Sequence, residues 1–215
     1  MLSIKNFSLE RATAILLERL QLDVAAGEIV TVMGVSGSGK STLLNWMIGD
    51  LDPAFRASGE LWLNDSRRDT LETQERRIGI LFQDDLLFPH LSAGQNLGFA
   101  LPGRFVNRHE RRQRVEQTLD EIGMAGFHDR DPATLSGGQR ARVSLMRTLL
   151  SEPEALLLDE PFSKLDATLR KQFRSFVFEQ IERQRIPTLL VTHDPADVPQ
   201  DGRVLEISHW QPQHV

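Results

Sequence analysis

Hydrophobic positions along the chain follow two rhythms, and the switch between them falls near Gln83. Before it, short apolar stretches alternate with turns. Leu2 to Leu9, Ile29 to Met33 and Glu60 to Leu63 read as strands of a mixed sheet, the last beginning after a break at Ala57-Ser58-Gly59. Ile29-Val30-Thr31-Val32-Met33, bounded by Gly27 and Gly34, predicts a strand covered on both faces. Similar runs at Ile78 to Phe82, Ala155 to Leu158 and Thr188 to Thr192 are separated by segments long enough to cross back over a sheet, and Val204 to Ile207 leaves room for a final strand. Between Gln83 and Leu150 the period becomes helical, with Val115, Leu119 and Ile122 on one stripe and Val143, Met146 and Leu150 on another. The expectation is an α/β protein in which 1–215 form one domain carrying an inserted helical subdomain at about 84–150. Pro153 and Pro187 precede buried strands and Pro161 follows one, so these prolines mark element ends.

Length and composition narrow the picture modestly. At 215 residues, 40% apolar and 26% charged, the chain can bury one core and matches neither a disordered nor a fibrous protein. No apolar run approaches the roughly 20 residues that cross a bilayer, and Met1 to Phe7 lacks the apolar centre of a secretion signal, so a cytosolic location is expected. Cysteine is absent, which removes thiolate nucleophiles, thiolate metal sites and disulfides. A formal charge of −5 gives no general attraction to nucleic acid. The basic run Glu110-Arg111-Arg112-Gln113-Arg114 reads either as a solvated helix face or as a contact for anionic headgroups.

The candidate chemistry begins after the predicted strand at Ile29 to Met33. Gly34-Val35-Ser36-Gly37-Ser38-Gly39-Lys40-Ser41 matches the whole phosphate-loop pattern, and Ser41 to Ile48, including Thr42, is the helix that should follow. Successive inward N–H groups and the helix dipole suit a polyphosphate. Lys40 would face the β and γ phosphates, and the Ser41 hydroxyl would ligate Mg²⁺. Leu156-Leu157-Leu158-Asp159-Glu160 delivers two carboxylates at the carboxyl end of a buried strand, where open α/β sheets collect ligands. Val191-Thr192-His193-Asp194 ends another strand, and Gln83 lies just past a third. Ser136-Gly137-Gly138-Gln139 opens an amphipathic helix, which makes it either a second anion site or an ordinary helix cap.

With Leu135-Ser136-Gly137-Gly138-Gln139 set between the phosphate loop and Asp159-Glu160, the chain resembles the ATP-binding subunit of an ABC transporter from Leu2 to about Ile207. The resemblance implies a P-loop NTPase with an ABC-type, RecA-like core, an N-terminal antiparallel β subdomain and the inserted helical subdomain. It implies an ATP hydrolase coupled to transmembrane transport, with ATP and Mg²⁺ as cofactors. In that family Asp159 would help hold Mg²⁺ and Glu160 would be the general base. His193 would be the switch residue at the γ-phosphate, and Gln83 would reach both metal and attacking water. Ser136, Gly137, Gly138 and Gln139 would meet the γ-phosphate held by the opposite copy, giving two composite sites in an ATP-sandwiched homodimer. Asp166 in Ser163-Lys164-Leu165-Asp166 would stand at the subunit boundary, although Lys164 replaces the small residue common there.

The stretch Leu86-Leu87-Phe88-Pro89-His90-Leu91-Ser92 is similar to bacterial importer subunits for sulfate, molybdate, thiamine, polyamines and sugars, and to a YnjD-like group. That implies integral membrane permease subunits and an extracytoplasmic solute-binding protein as partners, a place on the cytoplasmic face of the inner membrane, and no nucleic acid. Leu86, Leu87 and Phe88 are then either permease contacts or core of the helical lobe. The chain has no tyrosine, so Arg11 occupies the region where an aromatic residue usually stacks on adenine, either stacking in its place or simply exposed. Trp210 to Val215 reads as a tail without a task. The alternatives are an exporter or lipoprotein-release ATPase with the same machinery, an ABC ATPase acting on DNA or ribosomes, and a nucleotide-binding subunit without turnover.

Overall fold

Alternating apolar residues at the N-terminus fold into a hairpin. β1 (Leu2–Arg11) and β2 (Ala14–Val24) pair antiparallel, burying Leu2, Ile4, Phe7 and Leu9 of the first with Leu17, Leu20, Leu22 and Val24 of the second. The structure, a computed structural model, describes residues 1–12 and 14–212. Thr13, inside the Arg11 to Ala14 region, and residues 213–215 of the tail lie outside the described residues. β2 is hard to separate by pattern because register shifts, with Asn6 at φ 51° and Arg19 at φ 52°, spoil the strict alternation.

β4 (Phe55–Leu63) pairs with the other side of β1, and the two-residue β5 (Ser66–Arg67) closes an antiparallel sheet of order β2-β1-β4-β5. The break expected at Ala57-Ser58-Gly59 is therefore strand interior. Gly59 adopts φ 127° where a Cβ would lie 2.7 Å from Phe7 Cα, so the glycine marks a close approach of two backbones. Nor do the first predicted strands form one mixed sheet, because β3 (Ile29–Met33) belongs elsewhere.

β3 joins β6 (Ile78–Leu81), β7 (Ala155–Asp159), β8 (Thr188–Thr192) and β9 (Arg203–Glu206) in a second sheet of order β6-β7-β8-β3-β9. The β7–β8, β8–β3 and β3–β9 pairs are parallel. Ala155 to Leu158 and Thr188 to Val191 are fully buried, as unbroken apolar runs in parallel sheets must be. Each buried Leu contributes about 2 kcal/mol, so β7 is anchored well enough to carry charge at its end. Register matches Met33 with Thr192 and Asp159 with Val191, which brings the carboxyl ends of β3, β8 and β7 to one level.

Contacts divide the chain into two compact units. The first comprises Met1–Ile80, Glu154–Glu160 and the chain from Phe178 onward, and contains α1 (Lys40–Ile48). The second comprises Leu81–Pro153 and Pro161–Val177. It holds α2 (Ala93–Phe99), α3 (Arg108–Glu121), α4 (Gly137–Leu150) and the first turns of α5 (Ala167–Gln184). α2 packs on both α3 and α4, and Val115, Leu119, Ile122, Val143, Met146 and Leu150 are buried at the spacing the sequence predicts.

Candidate active site

The loop from Gly34 to Gly39 leaves β3 and opens α1. Gly39, at φ 96°, is the N-cap of that helix and supplies no side-chain cap, so the first amides are left for another partner. A Cβ on Gly34 would come 2.4 Å from Ile207 Cγ2 and 3.3 Å from Ser38 Oγ. Only glycine fits that position.

Lys40 is buried, and its ammonium donates to Gly34 O at 2.7 Å, Val35 O at 2.8 Å and Ser38 Oγ at 3.4 Å, folding back over its own loop. Burial lowers its pKa, while Glu160 and Asp159 pull it back up. The Ser41 hydroxyl donates to Asp159 Oδ1 at 2.9 Å. Burial raises the Asp159 pKa, opposed first by the Ser41 hydrogen bond; Glu160 raises it further and Lys40 lowers it. Two hard oxygens, hydroxyl and carboxylate, thus meet at the loop's end, in a setting that would gain from added positive charge.

Glu160 follows β7 with φ 46°, and its N–H donates to Val191 O at 2.9 Å. That left-handed turn carries the side chain toward His193, whose Nδ1 lies 3.1 Å from Glu160 Oε1. Below them, the Thr192 hydroxyl donates to buried Asp197 at 2.8 Å and accepts from Asp194 N at 3.1 Å, fixing the turn that carries His193. Met33, Gly34, Val35, Ser36, Glu160, His193 and Glu206 line a cavity of about 500 Å³. The first unit therefore brings together the phosphate loop, Ser41, Asp159, Glu160 and His193.

Gln83, Ser136 to Gln139 and Asp166 belong to the second unit. Gln83 is exposed just beyond β6 and lines a groove of about 580 Å³ with Leu86, Leu87, Gly137 and Lys164. Ser136 is the N-cap of α4 in a reciprocal box: Gln139 N donates to Ser136 Oγ at 3.3 Å, and Ser136 N donates to Gln139 Oε1 at 2.9 Å. Its first N–H groups are thus partly engaged within the chain, which is the helix-cap alternative for Ser136. Asp166 Oδ1 accepts from Thr168 N and Leu169 N at 3.0 Å each and so caps α5.

Two residues outside the expected site set gain partners in the structure that the sequence does not show. Asn96, fully buried, accepts from Phe88 N at 2.8 Å and donates to the carbonyls of Phe88, Leu91 and Ser92, pinning the segment after Gln83. Lys164 donates to Asp84. Of the apolar trio, Leu86 is 55% exposed and lines the groove with Leu87, but the Phe88 ring packs on Phe99 at 4.9 Å and under Arg147 at 5.1 Å. Arg11 lies over the Phe55 ring at 5.6 Å.

Comparison with known proteins gives consistent neighbours. The family described as ABC transporter matches residues 17–163. The chain is 53% identical over 210 residues to the uncharacterized ABC transporter ATP-binding protein YnjD of Escherichia coli strain K12, covering 98% of this chain and 96% of that one. It is 37% identical to a probable sulfate/thiosulfate import ATP-binding protein, CysA, of Chlorella vulgaris, covering 97% and 91%. A solved dimer of the ATP-binding cassette MJ0796, in a post-hydrolysis state with ADP and Pi, is similar at a TM-score of 0.75 and 30% identity, covering 92% of this chain and 90% of that one.

Proposed function

The chain belongs to the ABC transporter family as an ATP-hydrolysing subunit of a transporter, and from that premise we propose that two copies close on ATP and Mg²⁺ to drive solute import through membrane subunits. The observation that carries the reading is the Glu160–His193 contact of 3.1 Å at the rim of a cavity floored by the phosphate loop.

Each residue's task follows from its chemistry. The loop amides and the start of α1 bind the phosphates, and Lys40 exchanges its loop carbonyls for phosphate oxygens. The groups of three or more His, Asp or Glu that would build an all-protein metal cage are absent among the described residues. Ser41 and Asp159 instead supply two oxygens, which suits Mg²⁺, an ion that keeps water and phosphate as its other ligands. Bound there, Mg²⁺ would neutralise charge on the phosphate oxygens. Gln83 would add its amide oxygen. Glu160 accepts a proton from the attacking water, and His193 holds that carboxylate in place while facing the γ-phosphate. Ser136 to Gln139 of the second copy complete each site, and Asp166 stands at the seam.

Import is the direction favoured because relatives such as the Chlorella vulgaris protein are named import ATP-binding proteins. Among the described residues no helix is long and apolar enough to cross a membrane, so permease subunits would supply the path, with this subunit on the cytoplasmic face and an extracytoplasmic protein presenting the solute. Leu86 and Leu87, on the groove beside Gln83, form the apolar surface offered to the permease. The test is Glu160→Gln, which keeps the shape of the site but removes the base. It should shift from monomer to dimer in size-exclusion light scattering at saturating Mg-ATP and not with ADP; a species that stays monomeric overturns the composite site.

A further inference from the structure

The two residues directly after Gln83 are both acidic, and each is held from a different part of the second unit. Asp84 accepts from Lys164 Nζ, in the segment Ser163 to Asp166. Asp85 Oδ2 accepts from Arg140 Nε at 3.2 Å, and its carbonyl accepts from the Ser144 hydroxyl at 2.7 Å, both on α4. The same Arg140 guanidinium donates through Nη1 to Leu135 O at 2.6 Å, on the turn that leads into Ser136. Gln83, Asp84, Asp85, Arg140 and Lys164 line one groove.

We propose that Lys164 and Arg140 are positioning residues for ATP hydrolysis: through Asp84 and Asp85 they clamp the segment bearing Gln83 to the Ser163–Asp166 segment and to the Leu135–Gln139 turn, so that the three move as one piece. This rests on the composite-site reading, in which the turn and the Ser163–Asp166 segment reach the other copy. Pairing a glutamine loop to both of those segments gives arrival of the second copy a direct mechanical route to Gln83. Lys164 is suited to the role because its long stem reaches Asp84, which a small residue at that position cannot do. Both side chains of that pair are more than half exposed, so the pair does little for folding and its worth lies in placement.

A double-mutant cycle on ATP turnover tests this. Lys164→Gln and Asp84→Asn should each lower kcat about threefold with KM for ATP and melting temperature unchanged. The double variant should be no slower than either single one, and the exchanged pair Asp84→Lys with Lys164→Asp should regain at least half the loss. Added salt should slow the parent toward the variants while leaving the variants flat. Additive losses, no regain on exchange, or parallel salt profiles would overturn the proposal. Trapping of Glu160→Gln is measured alongside: a trapped dimer with an additive cycle overturns the positioning role alone, whereas no trapped dimer overturns the composite site beneath it.

Discussion

His193 and Glu160 are the pair on which turnover should depend most sharply. The ring nitrogen reaches the carboxylate at 3.1 Å, and Glu160 holds a left-handed backbone that costs about 1 kcal/mol or more in a non-glycine residue, compensated by its N–H bond to Val191 O. His193→Ala removes the brace and leaves the phosphate loop intact, so kcat should fall by about 10²-fold with little change in KM for ATP, read from steady-state phosphate release. Both residues were legible in the sequence because each ends a buried apolar run, and a strand end fixes where its next side chain emerges. The bent backbone at Glu160 was not, since nothing about a glutamate announces a positive φ. The same holds for Lys164: the sequence shows a cation out of pattern, but its partner Asp84 lies 80 residues away and only folding makes them neighbours.

At the level of elements, the parallel strands were readable because burial on both faces imposes continuous apolar runs, and β3 and β8 have the predicted limits. β2 and the interior of β4 were hidden by register shifts and by Gly59, whose composition reads as a turn while its backbone serves a crossing of strands. α4 carries its start signal openly, since Ser136 and Gln139 stand three apart, the spacing of a capping box. Asn96 on α2 gave no such signal. A single polar residue in a helix reads as surface, yet here it satisfies the turns from Phe88 to Ser92 from a fully buried position. Asn96→Ala should cost about 2–4 kcal/mol in urea unfolding, because it strands several buried main-chain groups at once. It should also blunt the permease's stimulation of turnover, since the segment it pins includes the approach to Leu86 and Leu87.

For the molecule as a whole, the proposed engine is a symmetric pair, and symmetry allows a test that no single-chain enzyme could pass. Lys40→Ala and Ser136→Arg should each abolish turnover alone. Mixed in equal amounts, half the pairs would hold one intact site of two, so roughly a quarter of the parent rate should return. No return would remove the second copy from the chemistry. Where each motif sits within the chain was readable, because each belongs to a separate strand or helix end. The grouping of Pro161–Val177 with the helices was not readable, because the acidic strand and α5 run on without a break in composition. One contact in the first unit changes how the far end of the chain should be regarded. The Ile207 methyl occupies the space beneath Gly34, and Ile207 begins the short 3-10 turn reaching Trp210. The mouth that grips phosphate thus rests on a residue lying 173 positions downstream. A cut, label or fusion placed just beyond β9 would loosen nucleotide grip from below, through hydrocarbon alone.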